Sequence, residues 1–218
     1  SSSAASDVYK RQILRNDRFW YDRKLEFWVT ADGKESGRDK GTTHINVLGY
    51  AIAKFWPETH QRYKGTSTYM NYIFFRYAEI LLNFAEAQNE VGGPESSLEG
   101  LSVREVLTEL RARVGQVPIP EDISDSRESM RERIYNERAV ELCFEEHRWY
   151  DVLSWHKGVE YFNKDIYGIR AVKNADGSFT YSREKYESAT FKEHMHLYPI
   201  PNNEVYKSAV LEQNPGWK

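Results

Sequence analysis

Between Tyr77 and Val91 apolar side chains recur at spacings of three and four, and a Gly-Gly-Pro sequence then halts them. Tyr77, Ile80, Leu81, Phe84, Gln88 and Val91 make one stripe broken only by Gln88, the pattern of an amphipathic helix with that stripe turned inward. Gly92-Gly93-Pro94 ends it, because glycine supplies a left-handed cap and proline cannot continue the hydrogen-bond ladder. A second helix is expected from about Ser97, with Leu101, Val106, Leu107, Leu110 and Val114 inward and Gly115 closing it. Two helices joined by so short a turn form an antiparallel hairpin of the tetratricopeptide kind. The chain is therefore expected to be mainly α-helical.

A third helix should follow the extended stretch held by Pro118 and Pro120. Asp125 and Glu128 match capping-box spacing, which places its start near Ser126. It runs through Met130, Ile134, Val140, Leu142 and Phe144 toward Trp149, Val152 and Leu153, with a break near His147. Elsewhere the wording is less regular. Residues 16–63 carry short aromatic runs and a turn-rich patch at Ala31 to Gly41, reading as short strands and loops, with a second extended piece from His44 to Trp56. Asn174-Ala-Asp-Gly177 is a tight turn between two short strands. Ser1 to Gln12 reads as junction sequence foreign to the fold, leaving 13–218 as one domain with a helical part and a smaller irregular β-containing part.

Charge narrows the function. The net charge is −3, so no general field exists to hold a polyanion, and nucleic acid is not expected as a partner. No run of about 18 apolar residues occurs, so no transmembrane helix is expected. The single Cys143 sits between Leu142 and Phe144 near Glu145 and Glu146, the setting of an inert packed thiol, not a nucleophile. Phosphate-cradling glycine loops, nucleophile elbows and paired-cysteine zinc spacings do not occur in the sequence. No cofactor is expected.

Two clusters invite a chemical reading. Glu137, Glu141 and Glu145 stand at i, i+4 and i+8 on the third helix, interleaved with Arg133, Arg138, Arg148 and Asp151. A di-iron site would want glutamate three before His147, where Phe144 stands; a structural ion-pair lattice of Glu137, Arg138, Glu141, Glu145, Arg148 and Asp151 is the expectation. His194 and His196 would share one face of a strand, but two imidazoles do not complete a metal site, and none is expected.

Three segments, in this order, carry a family likeness: RYAEILLNFAEAQNEVGG from Arg76, NERAVELCFEEHRWYDVLSWHKG from Asn136, and HLYPIPNNEV from His196 with LEQNPGW from Leu211. Together they resemble the C-terminal half of the SusD/RagB family, over roughly Asn16 to Trp217. The resemblance implies a non-catalytic lipoprotein on the outer face of a Bacteroidetes outer membrane that binds glycans and hands them to a SusC-like TonB-dependent transporter. It also implies an N-terminal half outside this sequence, with a signal peptide and a lipidated cysteine as the only membrane attachment, and a strap at Leu197 to Pro201 packed back on the helices. Sugars are held by stacking on exposed rings. Aromatics make up 14% of the chain; Trp149, Tyr150 and Trp155 fall in helical pattern and read as core, whereas Trp20, Trp28 and Trp56 fall where loops can expose a ring, and they are the candidate glycan contacts. Two other readings stay open: a glycoside hydrolase, which would need two opposed carboxylates, and a helical peptide-binding module.

Overall fold

The computed structural model describes residues 13–17, 19–20, 23–40, 48–52, 54–55, 65, 69, 72–120 and 125–217. Helix α1, Tyr77–Gly92, buries Ala78, Leu81, Leu82, Ala85 and Asn89. This is not the full stripe expected: Leu81 points inward and Phe84 packs at the edge of the core, while Tyr77 and Val91 are 68% and 81% exposed. Small residues decide the rotation. Ala78 and Ala85 let the neighbouring helices approach closely, so the inward face turns toward them and away from the larger Tyr77 and Val91. The stop at Gly93 is as expected, with φ at +83° and its amide donating to the Asn89 carbonyl at 2.9 Å.

The second helix begins later than the sequence suggests. Strands β6, Ser97–Leu98, and β7, Leu101–Ser102, form a small hairpin turned by Glu99 and Gly100 at positive φ, and helix α2 is Val103–Arg113. Ser102 caps it in a reciprocal box with Glu105. Helix α3, Arg127–Glu141, is capped by Ser126 with Ser129 as its partner, not by Asp125 with Glu128; a serine hydroxyl can satisfy the first turn's amides as a carboxylate would. Met130, Ile134 and Leu142 join Leu81, Leu82, Val106, Leu107 and Leu110 in one core between α1, α2 and α3.

α3 ends well before His147. Phe144 and Glu146 both take left-handed backbone angles, and helix α4, His147–Ser154, starts afresh, followed by α5, Gly158–Phe162. The chain redirection exposes side chains expected inside: Tyr150 is 64% exposed and Trp149 is 39% exposed, because so short a helix buries only Val152. Trp149 instead lies on Phe162, ring centroids 5.0 Å apart. Trp155 is half-buried, stacked on Tyr135 at 3.5 Å and donating its indole N–H to Glu86 at 2.7 Å.

The β part is built on a long hairpin. Strands β8, Asp165–Lys173, and β9, Phe179–Ser188, pair antiparallel across the Asn174–Gly177 turn, nine and ten residues long where short strands were expected. Strand β4, Trp28–Thr30, adds to β8 in parallel. Two smaller pairs lie upstream: β1, Ile13–Arg15, with β5, Tyr50–Ile52, and β2, Phe19–Trp20, with β3, Arg23–Lys24.

His194 and His196 fall in a 3-10 turn, Glu193–His196, not on a strand. The His196 ring spans the Glu193 carbonyl at 2.8 Å and the Gly158 amide at 3.0 Å, so both its nitrogens serve packing. Helix α6, Asn202–Lys207, follows. The strap before it is tied on both sides: Gln213 exchanges two hydrogen bonds with the Ile200 backbone, at 2.7 Å each, and the Trp217 indole donates to the Leu197 carbonyl at 2.9 Å. Prolines 199 and 201 hold this stretch extended.

Candidate functional site

Two arrangements of chemistry-bearing side chains emerge, one structural and one open to ligand. In the first, arginines from the N-cap of α1, from α2 and from α3 meet acids on α3, in the turn after it and on α4. Arg76 donates to both Glu145 carboxylate oxygens at 2.7 Å and to Glu141 at 2.9 Å. Arg113 reaches both oxygens of Glu141 at 2.7 Å, Arg111 and Arg133 pair with Glu137, and Arg138 grips Asp151 at 2.7 and 3.1 Å. Lys54 adds hydrogen bonds to the Cys143 and Glu141 carbonyls at 2.8 and 3.0 Å. Arg148 stands apart from the lattice: it lies over the Tyr161 ring at 4.5 Å, because α4 turns it toward α5 while Asp151 faces Arg138. Glu145 also lies beyond the helical face expected for it, in the turn after α3. With their oxygens taken by arginines and lysine, these acids hold the helices together and present no free pair for acid–base work.

The second arrangement is an open cleft of about 450 Å³ on the β hairpin. Its geometry starts from two glycines. Gly168 on β8 and Gly49 let two backbones cross, the Leu48 carbonyl accepting from the Ile169 amide at 2.9 Å. A Cβ on Gly168 would stand 2.9 Å from Leu48 Cα, and one on Gly49 would stand 2.1 Å from the Ile169 oxygen. The crossing brings Tyr50 of β5 beside β8 and β9. Tyr167 and Ile169 share a face of β8, and Tyr181 and Arg183 share the matching face of β9, since alternate residues point the same way and the pairing sets Ile169 opposite Arg183. Tyr50, Tyr167 and Tyr181, each between 40 and 45% exposed, line the cleft with Asp165, Ser182 and Arg183.

Tyr181 is tethered at its tip by one long hydrogen bond. The buried Asn16 side chain accepts the Phe27 amide at 2.8 Å and donates to the Tyr181 hydroxyl at 3.4 Å, while the tyrosine stays exposed in the cleft. A neighbouring cleft of about 260 Å³, walled by the same Gly168 and Ile169, opens toward Lys40, Arg170, Glu184 and Tyr186.

Of the tryptophans chosen from sequence, Trp28 is the one whose side chain is described, and it does not line this cleft. Trp28 is half-buried on β4, and the Lys173 ammonium lies 4.5 Å from its ring centroid. Trp20 is in β2 opposite Arg23, with its side chain outside the described part, and Trp56 lies outside the described residues altogether. Tyr167, Tyr181 and Arg183 had a signal in the sequence: alternate positions on either side of a tight turn. Tyr50 had none, because only the distant crossing at Gly49 brings it there.

The sequence model of the SusD family matches residues 17–217. The chain belongs to the SusD family. Among curated SusD-like relatives, SusD-like protein P2 of Formosa agariphila is 34% identical over 157 residues, covering 70% of this chain and 27% of that protein. SusD-like protein P38 of the same organism is 36% identical over 91 residues, or 41% of this chain and 18% of that one. The crystal structure of a SusD-like protein from Bacteroides fragilis superimposes with a TM-score of 0.73 at 27% identity, covering 94% of this chain and 37% of that one. This chain thus spans about a third of the length of these SusD-like relatives or less. The tetratricopeptide-like helical architecture of the SusD fold is the one described above.

Burial and pairing oppose each other at Glu145 of this SusD-family lattice. Burial pushes its carboxyl up, but hydrogen bonds from Arg76 and Lys54 outweigh burial and hold it below the ordinary 4.5. A carboxylate depressed on folding adds stability above its unfolded pKa and loses it as pH falls through the folded value. The melting temperature is therefore expected to fall as pH drops below about 4.5, with a smaller fall in Glu145→Gln; equal acid sensitivity of the two proteins would assign the loss to other groups. Burial raises the Cys143 thiol, helped by Glu145 and opposed by Lys54, which suits a packed and unreactive cysteine.

Proposed function

We propose that this chain is the C-terminal, helix-rich part of a cell-surface SusD-like protein that captures oligosaccharide without cleaving it and delivers it to a SusC-like TonB-dependent transporter. The observation that carries the reading is family membership across residues 17–217; the tyrosine cleft is the place we assign to the sugar. One fold relative, 20% identical, is described as a SusD-like carbohydrate binding protein from Bacteroides fragilis. Tyr181, tethered by Asn16 and exposed in the cleft, is suited to stack on the C–H face of a pyranose, and Asp165, Ser182 and nearby backbone groups can take its hydroxyls. The clustered acids support the non-catalytic reading, because each of Glu137, Glu141, Glu145 and Asp151 has a basic partner, whereas hydrolysis needs two carboxylates facing a sugar. The same family membership supports an outer-membrane location through a lipid carried elsewhere in the polypeptide.

Affinity electrophoresis against a glycan panel, with a reducing-end assay on the same mixtures, tests this. Retardation by at least one glycan without release of reducing ends is expected, and Tyr181→Ala should weaken that binding by about 1 to 3 kcal/mol while melting near the parent temperature. Sustained release of reducing sugar would replace a binding protein by an enzyme. Unaltered binding in the variant would move the sugar away from this cleft.

A further inference from the structure

We propose that the tyrosine cleft selects saccharides bearing an anionic group, a carboxylate or a sulfate ester, and that Arg183 is the residue that holds the anion. The inference rests on the glycan-binding reading above and adds the substrate class to it.

Arg183 carries the argument through its setting. Its guanidinium lies 3.6 Å from the centroid of the Tyr167 ring, on the same strand face as Tyr181 two residues earlier. Stacking occupies the flat face of the guanidinium and leaves the N–H donors on its rim, where they can meet two oxygens of one anion side by side. The other charges around it are matched. Asp165 is held by Lys185 at 2.8 Å and by the Ser188 hydroxyl at 2.7 Å, and Arg170 pairs with Glu184 at 3.2 Å. Among the described residues no carboxylate pairs with Arg183. Among the described residues the cleft therefore presents one positive charge without a carboxylate partner, preoriented by an aromatic ring, among three half-open tyrosines.

A neutral sugar lying on Tyr181 would exchange the water around this guanidinium for hydroxyl oxygens of little net advantage. A uronate carboxylate or a sulfate would instead form a charge-assisted, two-pronged pair, the stronger kind of hydrogen bond. Asp165 sits in the same cleft with its charge turned toward Lys185 and Ser188, so it repels an anion at Arg183 less than its formal charge implies.

The test uses the 218-residue chain on an array holding neutral, uronate-bearing and sulfate-bearing oligosaccharides. Hits are then titrated beside counterparts of the same backbone whose carboxylates are methyl-esterified or whose sulfates are removed. The expected result is binding of an acidic saccharide about 10- to 100-fold tighter than its neutral counterpart, an advantage that shrinks as salt is raised. Arg183→Gln should melt normally and lose that advantage, its affinities for the acidic and neutral counterparts converging, and Arg183→Lys should keep part of it. The two acidic arms tell a carboxylate site from a sulfate site. Hits confined to neutral saccharides would overturn the proposal and leave glycan binding standing. Acidic binding unchanged in Arg183→Gln would overturn the assignment to this residue. Failure to bind any saccharide class would remove the glycan reading, and this inference with it.

Discussion

Leu82→Ala is expected to lower the unfolding free energy by about 3 to 5 kcal/mol. The side chain is fully buried on α1, in the core shared with Leu107 of α2 and Ile134 of α3, where close-packed neighbours close only part of the space left behind. At this chain length each kcal/mol moves the melting temperature by about 2 to 4 °C, so thermal unfolding followed by circular dichroism reads the effect directly. Val91→Ala, on the exposed side of the same helix, is the control. It should stay within about 0.5 kcal/mol of the parent. Equal losses in the two variants would mean that α1 buries the stripe read from its sequence and not the face through Ala78, Leu82 and Ala85.

The second large effect concerns charge. Glu141→Ala should destabilise by about 2 to 3 kcal/mol, because its nearly buried carboxylate holds two guanidiniums. Breaking one side of a buried pair leaves the partner charged and unmatched. The value falls at or below the foot of the roughly 3 to 5 kcal/mol expected for a fully buried pair for two reasons: Arg76 keeps Glu145, and Arg113 is half in water, where an unpaired charge is solvated. Saccharide affinity of the folded variant should not change, since the lattice and the tyrosine cleft involve different residues. Normal melting with lost binding would turn these acids from packing groups into a ligand site.

Much of the helical part was legible because its signals are local. A three-and-four spacing, the Gly92-Gly93-Pro94 stop and the run from Met130 to Ile134 each act over one or two turns of chain, and α1, α2 and α3 lie close to the stretches they mark. Boundaries were less legible where two local solutions compete. Ser97 can open a helix or a two-residue strand, and Gly100 at φ +82° favours the strand. Ser126 with Ser129 caps α3 where Asp125 with Glu128 has the same spacing, since capping requires an oxygen near the first free amides and several residue types provide one.

By itself the sequence determined the presence of three helices, the stop at Gly92-Gly93-Pro94, the tight turn at Asn174–Gly177 and the ordered wording shared with the SusD family, all properties of short stretches read in order. Only the tertiary structure decided which side of α1 is buried, that Trp149 and Tyr150 face outward, that Arg148 leaves the acids for Tyr161, and that Tyr50 meets Tyr167 and Tyr181. The reason is physical. A helix apolar on two sides is oriented by which neighbour can come closest, here through Ala78 and Ala85, and Tyr50 reaches its cleft because Gly49 and Gly168 allow two backbones, more than a hundred residues apart in the chain, to touch.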